Sequence, residues 1–388
     1  MVRSEQMTVL SMKGTWAPKP GSGPTPEGQR AERGDQFWKD VCISLERAPV
    51  PEIEDDEVLV KVVVCGICGS DTHCLEHDVE GYVRFSGPLK LPGVLGHELA
   101  GRVEHIGSRV STVRVGQLVT AESVWWCGVC LQCRSGRPNQ CERVELMGFT
   151  RPGALADKVA VKERFCWSLE PLRAQFRTEK QLLESAALIE PVGCAYNGMF
   201  VEAGGFRPGA FVVVWGAGPI GLASVALARL AGAARVVAIE PMEERRHLAH
   251  QLGADVVLAP GPGVGQEVRR VLGGAGADVQ VEAAGAASIE EIEAAFAPGG
   301  TLVYLGRVGA QLPLTMDRWV SGACRVVGAR GHAGGAVFGR VIRLLASGRL
   351  NLGAMITRRV GLADVVDTLG LSADRRDGKI LVQMDPLD

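Results

Sequence analysis

Hydrophobic and polar positions follow different patterns in the two halves of this chain. In the first half, β-branched apolar residues form short runs that are typical of buried strands. After Arg207-Pro208-Gly209, short apolar runs alternate with helix-forming stretches, which is typical of a parallel sheet with helical connections. The strands predicted in this way are Val41–Leu45, Glu57–Val64, Gly96–Val103, Phe211–Trp215, Arg235–Ile239, Asp255–Leu258, Asp278–Glu282, Thr301–Leu305 and Lys379–Met384.

These patterns predict an α/β protein with two domains. A mostly-β domain is expected over 1–196 and a doubly wound parallel sheet over 197–335. The segment 336–388 carries an amphipathic helix pattern at Phe338–Ala346 and a final strand, and we expect it to return to the first domain. Residues 1–37 are polar and rich in proline and glycine, which predicts a partly irregular arm or an edge hairpin.

A nine-residue stretch after the strand Glu57–Val64 concentrates chemically active side chains. It reads Cys65-Gly66-Ile67-Cys68-Gly69-Ser70-Asp71-Thr72-His73, and Gly96-His97-Glu98 and Glu190-Pro191 follow later. Each of these residues alone is more often a packed core residue than a ligand. Together, however, sulfur, imidazole and carboxylate are the ligand set of a catalytic zinc, and Ser70 and His73 add a proton path. The sequence therefore predicts a metal site.

A second cluster consists of cysteines only. Cys127, Cys130, Cys133 and Cys141 have the spacing C-x2-C-x2-C-x7-C in a polar, glycine-containing loop. Four thiolates this close together suit a closed, tetrahedral structural zinc. An iron–sulfur cluster and two disulfides are the alternatives, and the disulfides fit a reduced compartment poorly. We predict a zinc that stabilises this lobe.

The chain from Phe211 to Glu240 has the pattern of a dinucleotide-binding unit. A short apolar strand leads into Gly216-Ala217-Gly218-Pro219-Ile220-Gly221, a helix pattern follows, and Glu240 ends the next strand. Glu240 can bind the ribose hydroxyls and would repel a 2′-phosphate, which favours NAD over NADP. Arg245 and Arg246 lie nearby and weaken that preference a little, although Glu243–Arg246 also has the pattern of a solvated helix face. The residues expected to bind cofactor are Gly216, Gly218, Pro219, Ile220, Gly221, Glu240, Arg245, Gly285 and Gly306, the last two because they follow strand ends.

The composition narrows the class of protein. The 388 residues are enough for two domains, and 46% hydrophobic and 22% charged residues are normal for a globular enzyme. A net charge of −2 predicts no nucleic-acid partner and no binding to anionic membranes, and no apolar run approaches the length of a bilayer span. The N-terminus has no pattern of a secretory signal. Several of the eleven cysteines are clustered, which favours metal binding over disulfides, so we predict a reduced, cytoplasmic protein.

From about residue 41 onward, the order and spacing of these motifs resemble the zinc-dependent medium-chain alcohol dehydrogenases. The resemblance implies a GroES-like, mostly-β catalytic domain beside a Rossmann domain. It also implies one catalytic and one structural zinc per chain, an NAD cofactor with NADP less favoured, and a homodimer or homotetramer. Glu190 resembles the glutamate that the polyol branch of this family has at the same position. This branch includes sorbitol and threonine dehydrogenases, whereas other branches have cysteine there.

The resemblance also implies roles for individual residues. Ser70 would pass the substrate proton through the cofactor ribose towards His73, and Asp71 would orient a ligand histidine. Whether Glu98 or Glu190 ligates the metal in the resting state stays open. Cys194 is a competing soft donor, but we expect Glu190 to be the ligand and Cys194 to be a packing residue. The residues implied for the catalytic zinc are Cys68, His97 and Glu98, with Glu190 as an exchanging or water-linked ligand.

Finer matches concern the substrate. Glu80-Gly81-Tyr82, Cys166–Leu169 and Gly328–His332 are similar to the scyllo-inosose (cyclitol) dehydrogenases, which implies oxidation of a secondary alcohol on a polyhydroxylated ring, such as a cyclitol or aminocyclitol. The loop Asp78–Pro92 would line the substrate pocket. The alternatives are a zinc dehydrogenase for an open-chain polyol such as sorbitol, for threonine or for a simple alcohol. A catalytically silent binding protein is the alternative of another class, but it would have lost Cys68, His97 or Ser70.

Overall fold

The computed structural model describes residues 5–22, 29–307, 312–334, 336–371 and 376–384. Its strands are β1 Gln6–Trp16, β2 Arg30–Ala31, β3 Trp38–Pro49, β4 Glu57–Gly66, β5 Leu89–Lys90, β6 Gly93–Val94, β7 Glu98–Ile106, β8 Leu118–Ala121, β9 Val124–Trp125, β10 Glu145–Leu146, β11 Lys158–Lys162, β12 Cys166–Ser168, β13 Phe211–Trp215, β14 Arg235–Ile239, β15 Val256–Leu258, β16 Ala277–Glu282, β17 Phe296–Tyr304, β18 Arg325–Gly328, β19 Ile356–Gly361 and β20 Lys379–Gln383.

The α-helices are α1 Gly34–Phe37, α2 Gly69–His73, α3 Leu131–Arg134, α4 Glu179–Ala186, α5 Ile189–Tyr196, α6 Pro219–Leu230, α7 Glu243–Gln251, α8 Val264–Val271, α9 Ile289–Ala295, α10 Met316–Ser321, α11 Val337–Ala346 and α12 Val365–Leu371. Short 3₁₀-helices lie at Pro138–Gln140, Glu163–Phe165, Glu170–Leu172, Gly353–Met355 and Leu362–Asp364, and a π-helical segment at Asn197–Glu202. Within the part of the chain that is described, no helix has the length and apolar character needed to cross a bilayer.

The described residues form two compact units. The first comprises 5–22, 29–190, 358–371 and 380–384, and the second comprises 191–307, 312–334, 336–357 and 376–379. The return to the first unit thus begins at 358, whereas the sequence pattern placed it at 336. Helix α11 stays in the second unit because Val337 and Phe338 are buried there, within 3.4 Å of the position that a Cβ on Gly193 would take. The functional domain boundaries at 196 and 335 stay predictions.

The core of the first unit is built around β4. This strand pairs antiparallel with β7, β11 and β20, and the full sheet runs β12-β8-β7-β4-β20-β19 with β11 on β4. Val58, Val60, Val62 and Val64 are fully buried, whereas Lys61 is exposed, so these valines form the face of the strand that packs in the core. The β-branched run in the sequence predicted this strand, and the predicted fold class is confirmed in this mostly-β unit.

The N-terminal arm is more regular than its composition suggested. Residues 6–16 form the long strand β1, which lies between β3 and β6 in a three-stranded sheet and pairs with β3 from Gln6↔Pro49 to Trp16↔Trp38. The prediction of a partly irregular arm was wrong for these residues. Met7, Val9, Leu10 and Met12 are buried, so hydrophobic burial outweighs the proline and glycine that follow. The stretch 23–28 lies outside the described residues.

The second unit contains a six-stranded, fully parallel sheet. Its strand order is β15-β14-β13-β16-β17-β18, with the chain reversing direction across the sheet beside β13. The helices α6 to α9 connect successive strands, as expected for a doubly wound fold. The buried positions Val213, Val237, Val281 and Leu302 explain why these strands read as continuous apolar runs.

Close backbone packing holds the turn that precedes β7. Gly96 has φ +95° and lies against Gly148, which has φ +83°. Gly153 lies in the same place, where an added Cβ would contact the carbonyl oxygens of Leu95 and Gly96. Only residues without a side chain fit these positions, so the backbone here is fixed by close approach.

We therefore expect Gly153→Ala to destabilise the protein by about 2–3 kcal/mol, because the added methyl group must push the Gly96 turn away. Gly261→Ala is the control, since a Cβ there meets nothing within 4 Å, and its effect should stay within about 0.5 kcal/mol. Denaturant unfolding of both variants measures the difference. Equal midpoints for the two variants would contradict the prediction.

Candidate active site and metal centres

The first metal-ligand cluster forms where β4 ends and β7 begins. Gly66 at the end of β4 is paired with Glu98 at the start of β7, so the two motifs meet across the sheet. The chain then turns through Cys68, which is the N-cap of α2. Ligand atoms of Cys68, His97 and Glu98 lie within 4.8 Å of one another, and the histidine and the glutamate are buried. This is the arrangement expected of a metal site.

Asp71 links two of these residues. Its side chain is fully buried, with Oδ2 accepting the backbone N–H of Cys68 at 2.9 Å and Oδ1 lying 3.5 Å from Nδ1 of His97. Burial opposes protonation of His97, but the Asp71 carboxylate and Cys68 raise its pKa well above the usual value. A carboxylate behind a ligand imidazole orients the ring and makes it more basic. Buried sulfur, nitrogen and oxygen donors with this support fit zinc.

Glu190 lies outside this set of three. It is buried in the first turn of α5, and its Oε1 accepts a hydrogen bond of 2.9 Å from the hydroxyl of Ser123. No local pattern pointed to Ser123, because the two residues are 67 positions apart. A hydroxyl partner can hold a carboxylate in one rotamer. The role of Glu190 as a ligand stays a prediction.

The candidate proton path is partly visible. Ser70 and His73 lie one turn apart on α2. Nδ1 of His73 is 2.9 Å from Oε2 of Glu76, and the imidazole is 37% exposed. A histidine in this position can exchange a proton with solvent. Sequence reasoning missed Glu76, although its spacing of three residues from His73 is a recognisable signal.

Aromatic side chains close one side of the cluster. The ring of Phe149 lies 5.2 Å from that of His97, and Phe85 stacks on Phe149 at 4.4 Å with an interplanar angle of 10°. Both phenylalanines are buried. The segment that carries Phe85 therefore reaches a metal-ligand candidate, which agrees with its expected place beside the metal.

The second cluster is the four-cysteine lobe. Sulfur atoms of Cys127, Cys130, Cys133 and Cys141 lie within 4.8 Å of one another, and all four are free thiols rather than disulfides. Backbone N–H groups of Cys127 and Arg143 point at the sulfur of Cys141, each at 3.3 Å. This geometry fits a structural zinc, as the spacing predicted.

The thiols in this lobe have opposed pKa shifts. Backbone N–H groups of Val129 and Cys130 lower the pKa of Cys127 to about 6, because they stabilise the thiolate. Burial raises the pKa of Cys133 to about 12. Four negative charges cannot accumulate in this space without a cation, so the chemistry of the donors fits zinc here too.

The turn after β13 has the geometry that phosphate binding requires. Gly216 has φ +89°, and an added Cβ on Gly221 would contact the carbonyl oxygen of Gly216. At Gly218, the N-cap of α6, a Cβ would meet only Arg245, whose Nη1 is 3.8 Å away. Free N–H groups and the positive end of the helix dipole suit a pyrophosphate at this place. Cofactor binding by Gly216 to Gly221 stays a prediction.

Glu240 has contacts that the motif did not reveal. Its buried carboxylate accepts the backbone N–H of Ala217 at 2.6 Å and of Met242 at 3.0 Å, so it connects the glycine turn to the end of β14. Arg245 Nε donates to the carbonyl oxygen of Asp377 at 2.9 Å. Glu240 therefore shapes the turn, and a role in ribose binding would come in addition.

A further buried carboxylate, Glu282, organises the ends of β16 and β17. Its Oε1 accepts the N–H of Gly285 at 2.8 Å, and its backbone carbonyl accepts the N–H of Gly306 at 3.0 Å. Burial raises the pKa of Glu282. Sequence reasoning named both glycines but missed the carboxylate that places them. Its position as the last residue of a predicted strand is the signal that could have found it.

The fold and the two metal-ligand clusters define a zinc-binding dehydrogenase. Comparison with known proteins agrees with this class. Residues 54–171 match the alcohol dehydrogenase GroES-like domain, and residues 219–347 match the zinc-binding dehydrogenase domain. The chain belongs to the zinc-dependent medium-chain alcohol dehydrogenase family.

Two relatives show the range of activities in this family. A scyllo-inosose 3-dehydrogenase of Thermotoga maritima is 36% identical over 376 residues, covering 92% of this chain and 95% of the relative. An L-threonine 3-dehydrogenase of Pyrococcus abyssi is 32% identical over 348 residues, covering 88% of this chain and 94% of the relative. Both relatives match over nearly their whole length, so the match includes both domains.

Solved structures also match this chain over both domains. A Thermotoga maritima protein described as an alcohol dehydrogenase has a TM-score of 0.92 at 35% identity, covering 97% of this chain and all of that one. A Sinorhizobium meliloti protein described as a zinc-binding dehydrogenase, and solved with NADP, has a TM-score of 0.77 at 29% identity, covering 96% and 99%. The fold predicted from the sequence is confirmed.

The two clusters should respond differently to loss of one cysteine. Cys68→Ala should lower turnover by more than about 100-fold while the fold stays intact, because even outer partners of a metal ligand are worth 10–100-fold. Cys130→Ala should mainly lower stability, by roughly several kcal/mol, because metal binding and lobe folding are coupled. Metal content, turnover and thermal unfolding are measured together. The control is Cys42→Ala, at an exposed thiol. Full activity of Cys68→Ala would exclude the catalytic assignment.

Proposed function

We propose that the protein is a zinc- and NAD-dependent dehydrogenase that interconverts a secondary alcohol and a ketone on a polyhydroxylated ring. That it is an alcohol-oxidising oxidoreductase follows from its family. The observation that supports the reaction is the buried cluster of Cys68, His97 and Glu98 with Asp71 behind it. The cyclitol substrate is supported by the scyllo-inosose 3-dehydrogenase that matches 92% of the chain.

The side chains around the cluster have distinct roles in this proposal. Zinc, when bound, supplies a Lewis acid for the substrate oxygen. Asp71 holds the Cys68 backbone and orients His97, so two ligands are placed before substrate arrives. Ser70 would act as a relay that takes up the proton of the substrate hydroxyl while its own hydroxyl proton passes on towards His73, and His73, whose Nδ1 lies 2.9 Å from Oε2 of Glu76, would release a proton to solvent. The ring of Phe149, which lies 5.2 Å from that of His97, keeps water away from this ligand residue.

The second candidate is an open-chain substrate. The L-threonine 3-dehydrogenase that matches 88% of the chain favours it, and the Glu190 position is compatible with the whole polyol branch. Sorbitol and simple alcohols belong to the same alternative. A catalytically silent protein is disfavoured because Cys68, Ser70 and His97 are all present.

We also propose a homodimer or homotetramer in a reduced, cytoplasmic setting, with no nucleic-acid partner. Within the described second unit, β18 is an edge strand, and Val326 on it is 49% exposed. Val320, in the helix before it, is 76% exposed. An unpaired edge strand with exposed valines favours self-association.

The eleven free thiols agree with a reducing compartment.

Substrate choice is tested by following NAD reduction with inositols, deoxy- and aminocyclitols, sorbitol, threonine and simple alcohols. Cyclitols should have kcat/KM values at least about tenfold above the rest, because a site that hydrogen-bonds ring hydroxyls rejects substrates that lack them. Cys68→Ala is the blank for background reduction. Faster turnover of sorbitol or threonine would keep the zinc dehydrogenase and exclude the cyclitol substrate.

The cofactor preference should depend on Glu240. We expect NAD to be preferred over NADP, and Glu240→Gln to reduce that preference by about tenfold, because the amide no longer repels a phosphate and keeps only one of the two oxygens that accept backbone N–H groups. Glu243→Gln, at an exposed glutamate on α7, is the matched control. The ratio of kcat/KM for the two cofactors is measured. A wild-type preference for NADP would overturn the proposal.

A further inference from the structure

The segment 76–87, which we call the Asp78 loop, is held by its own hydrogen bonds. Oδ1 of Asp78 accepts the backbone N–H groups of Glu80 and Tyr82, each at 2.9 Å. The N–H of Gly81 donates to the carbonyl oxygen of Asp78, and Gly81 has φ +87°. Although burial opposes it, the hydrogen bonds from Lys19 and from these amides lower the pKa of Asp78. The ionised carboxylate of Asp78 therefore holds the turn of the loop, beside a backbone hydrogen bond of 3.0 Å from the N–H of Asp40 on β3 to the carbonyl oxygen of Gly81.

The N-terminal arm contacts this carboxylate directly. After β1, the backbone N–H groups of Ala17 and Lys19 donate to the carbonyl oxygens of Phe37 and Gln36, both at 2.8 Å. This extends the pairing of β1 and β3 and brings Nζ of Lys19 to 3.0 Å from Oδ2 of Asp78. The two oxygens of Asp78 thus have different partners, one within the loop and one in the arm.

The same ammonium group lies over an aromatic ring of the loop. Nζ of Lys19 is 4.2 Å from the centroid of the Tyr82 ring, and Nζ of Lys39 is 4.5 Å from it. Tyr82 is 6% exposed, so these cation–π contacts are partly shielded from water. Lys19 therefore fixes both the carboxylate and the ring.

The far end of the Asp78 loop leads to the metal cluster. The N–H of Arg84 donates to the carbonyl oxygen of Glu76 at 2.8 Å, so the loop closes next to the partner of His73. Phe85 then stacks on Phe149, which contacts the ring of His97. A shift of the loop would be transmitted to the wall of the candidate substrate site.

We propose that Lys19 is a positioning residue that holds the Asp78 loop in place and thereby sets the affinity for the substrate. The proposal rests on the proposed function for its kinetic part. It assigns to the N-terminal arm a role in substrate selection, through a contact with the loop rather than with the substrate. Lys19 and Lys39 clamp Tyr82, and the ion pair with Asp78 fixes the turn.

The test compares Lys19→Met with Lys13→Met. Methionine keeps an apolar side chain of similar length but removes the ammonium group, and Lys13 on β1 pairs with exposed Glu46 instead. Hydrogen exchange of the segment 76–87 should become about tenfold faster in Lys19→Met, because an ion pair and a cation–π contact are lost. It should be unchanged in Lys13→Met. Lys19→Arg, which can make both contacts, should restore slow exchange.

The kinetic measurement uses whichever alcohol the wild-type enzyme turns over fastest. Lys19→Met should raise its KM by about tenfold with kcat within about twofold, and the KM for NAD should not change. Unchanged exchange in Lys19→Met, or equal effects of Lys19→Met and Lys13→Met, would overturn the proposal. If the wild-type enzyme oxidises no alcohol, the proposed function fails, whereas the exchange result still decides whether Lys19 holds the loop.

Discussion

The candidate active site depends on one buried carboxylate, Asp71. Its carboxylate accepts the backbone N–H of Cys68, which follows β4, and lies 3.5 Å from the buried ring of His97, which precedes β7. The sheet pairing of β4 with β7, which ends at Gly66 and Glu98, brings the two segments side by side, and the carboxylate adds a contact between their ligand residues. A fully buried charge of this kind is stable only where it is hydrogen-bonded and faces a cation or a polarised imidazole. The metal-ligand residues and the carboxylate therefore require each other.

The second unit uses the same physical device at the ends of its parallel strands. Glu240 accepts backbone N–H groups of Ala217 and Met242, and Glu282 accepts that of Gly285. Both carboxylates are buried at the edge where open parallel sheets bind ligands. They hold tight turns in place, and the turn held by Glu240 leads directly into the N-terminus of α6, where the helix dipole favours a phosphate. Each unit thus has rigid turns that are fixed by acidic side chains.

Sequence patterns predicted much of the fold because its strands are locally encoded. The run Glu57–Val64 and the alternation after Phe211 carry their own periodicity, and both correspond to observed strands. The N-terminal arm was misjudged because proline and glycine at 18–21 dominated its composition, although Met7 to Met12 form a buried strand. The pairing partners of that strand are 43 positions away at Gln6 and 22 positions away at Trp16, and a strand without a nearby partner is hard to predict.

Local spacing was enough to define the four-cysteine lobe and the glycine turn, because the cysteines are within 15 residues and Gly216 to Gly221 follow one strand. The set of Cys68, His97 and Glu98 could be named from its motifs, but the pairing of β4 with β7 is what brings it together. The partners of the buried charges became visible only in the folded chain: Asp71 beside His97, Ser123 on Glu190, and Lys19 on Asp78. These residues are separated by 26, 67 and 59 positions, so their contacts exist only once the sheets have formed and burial has made each charge seek a partner.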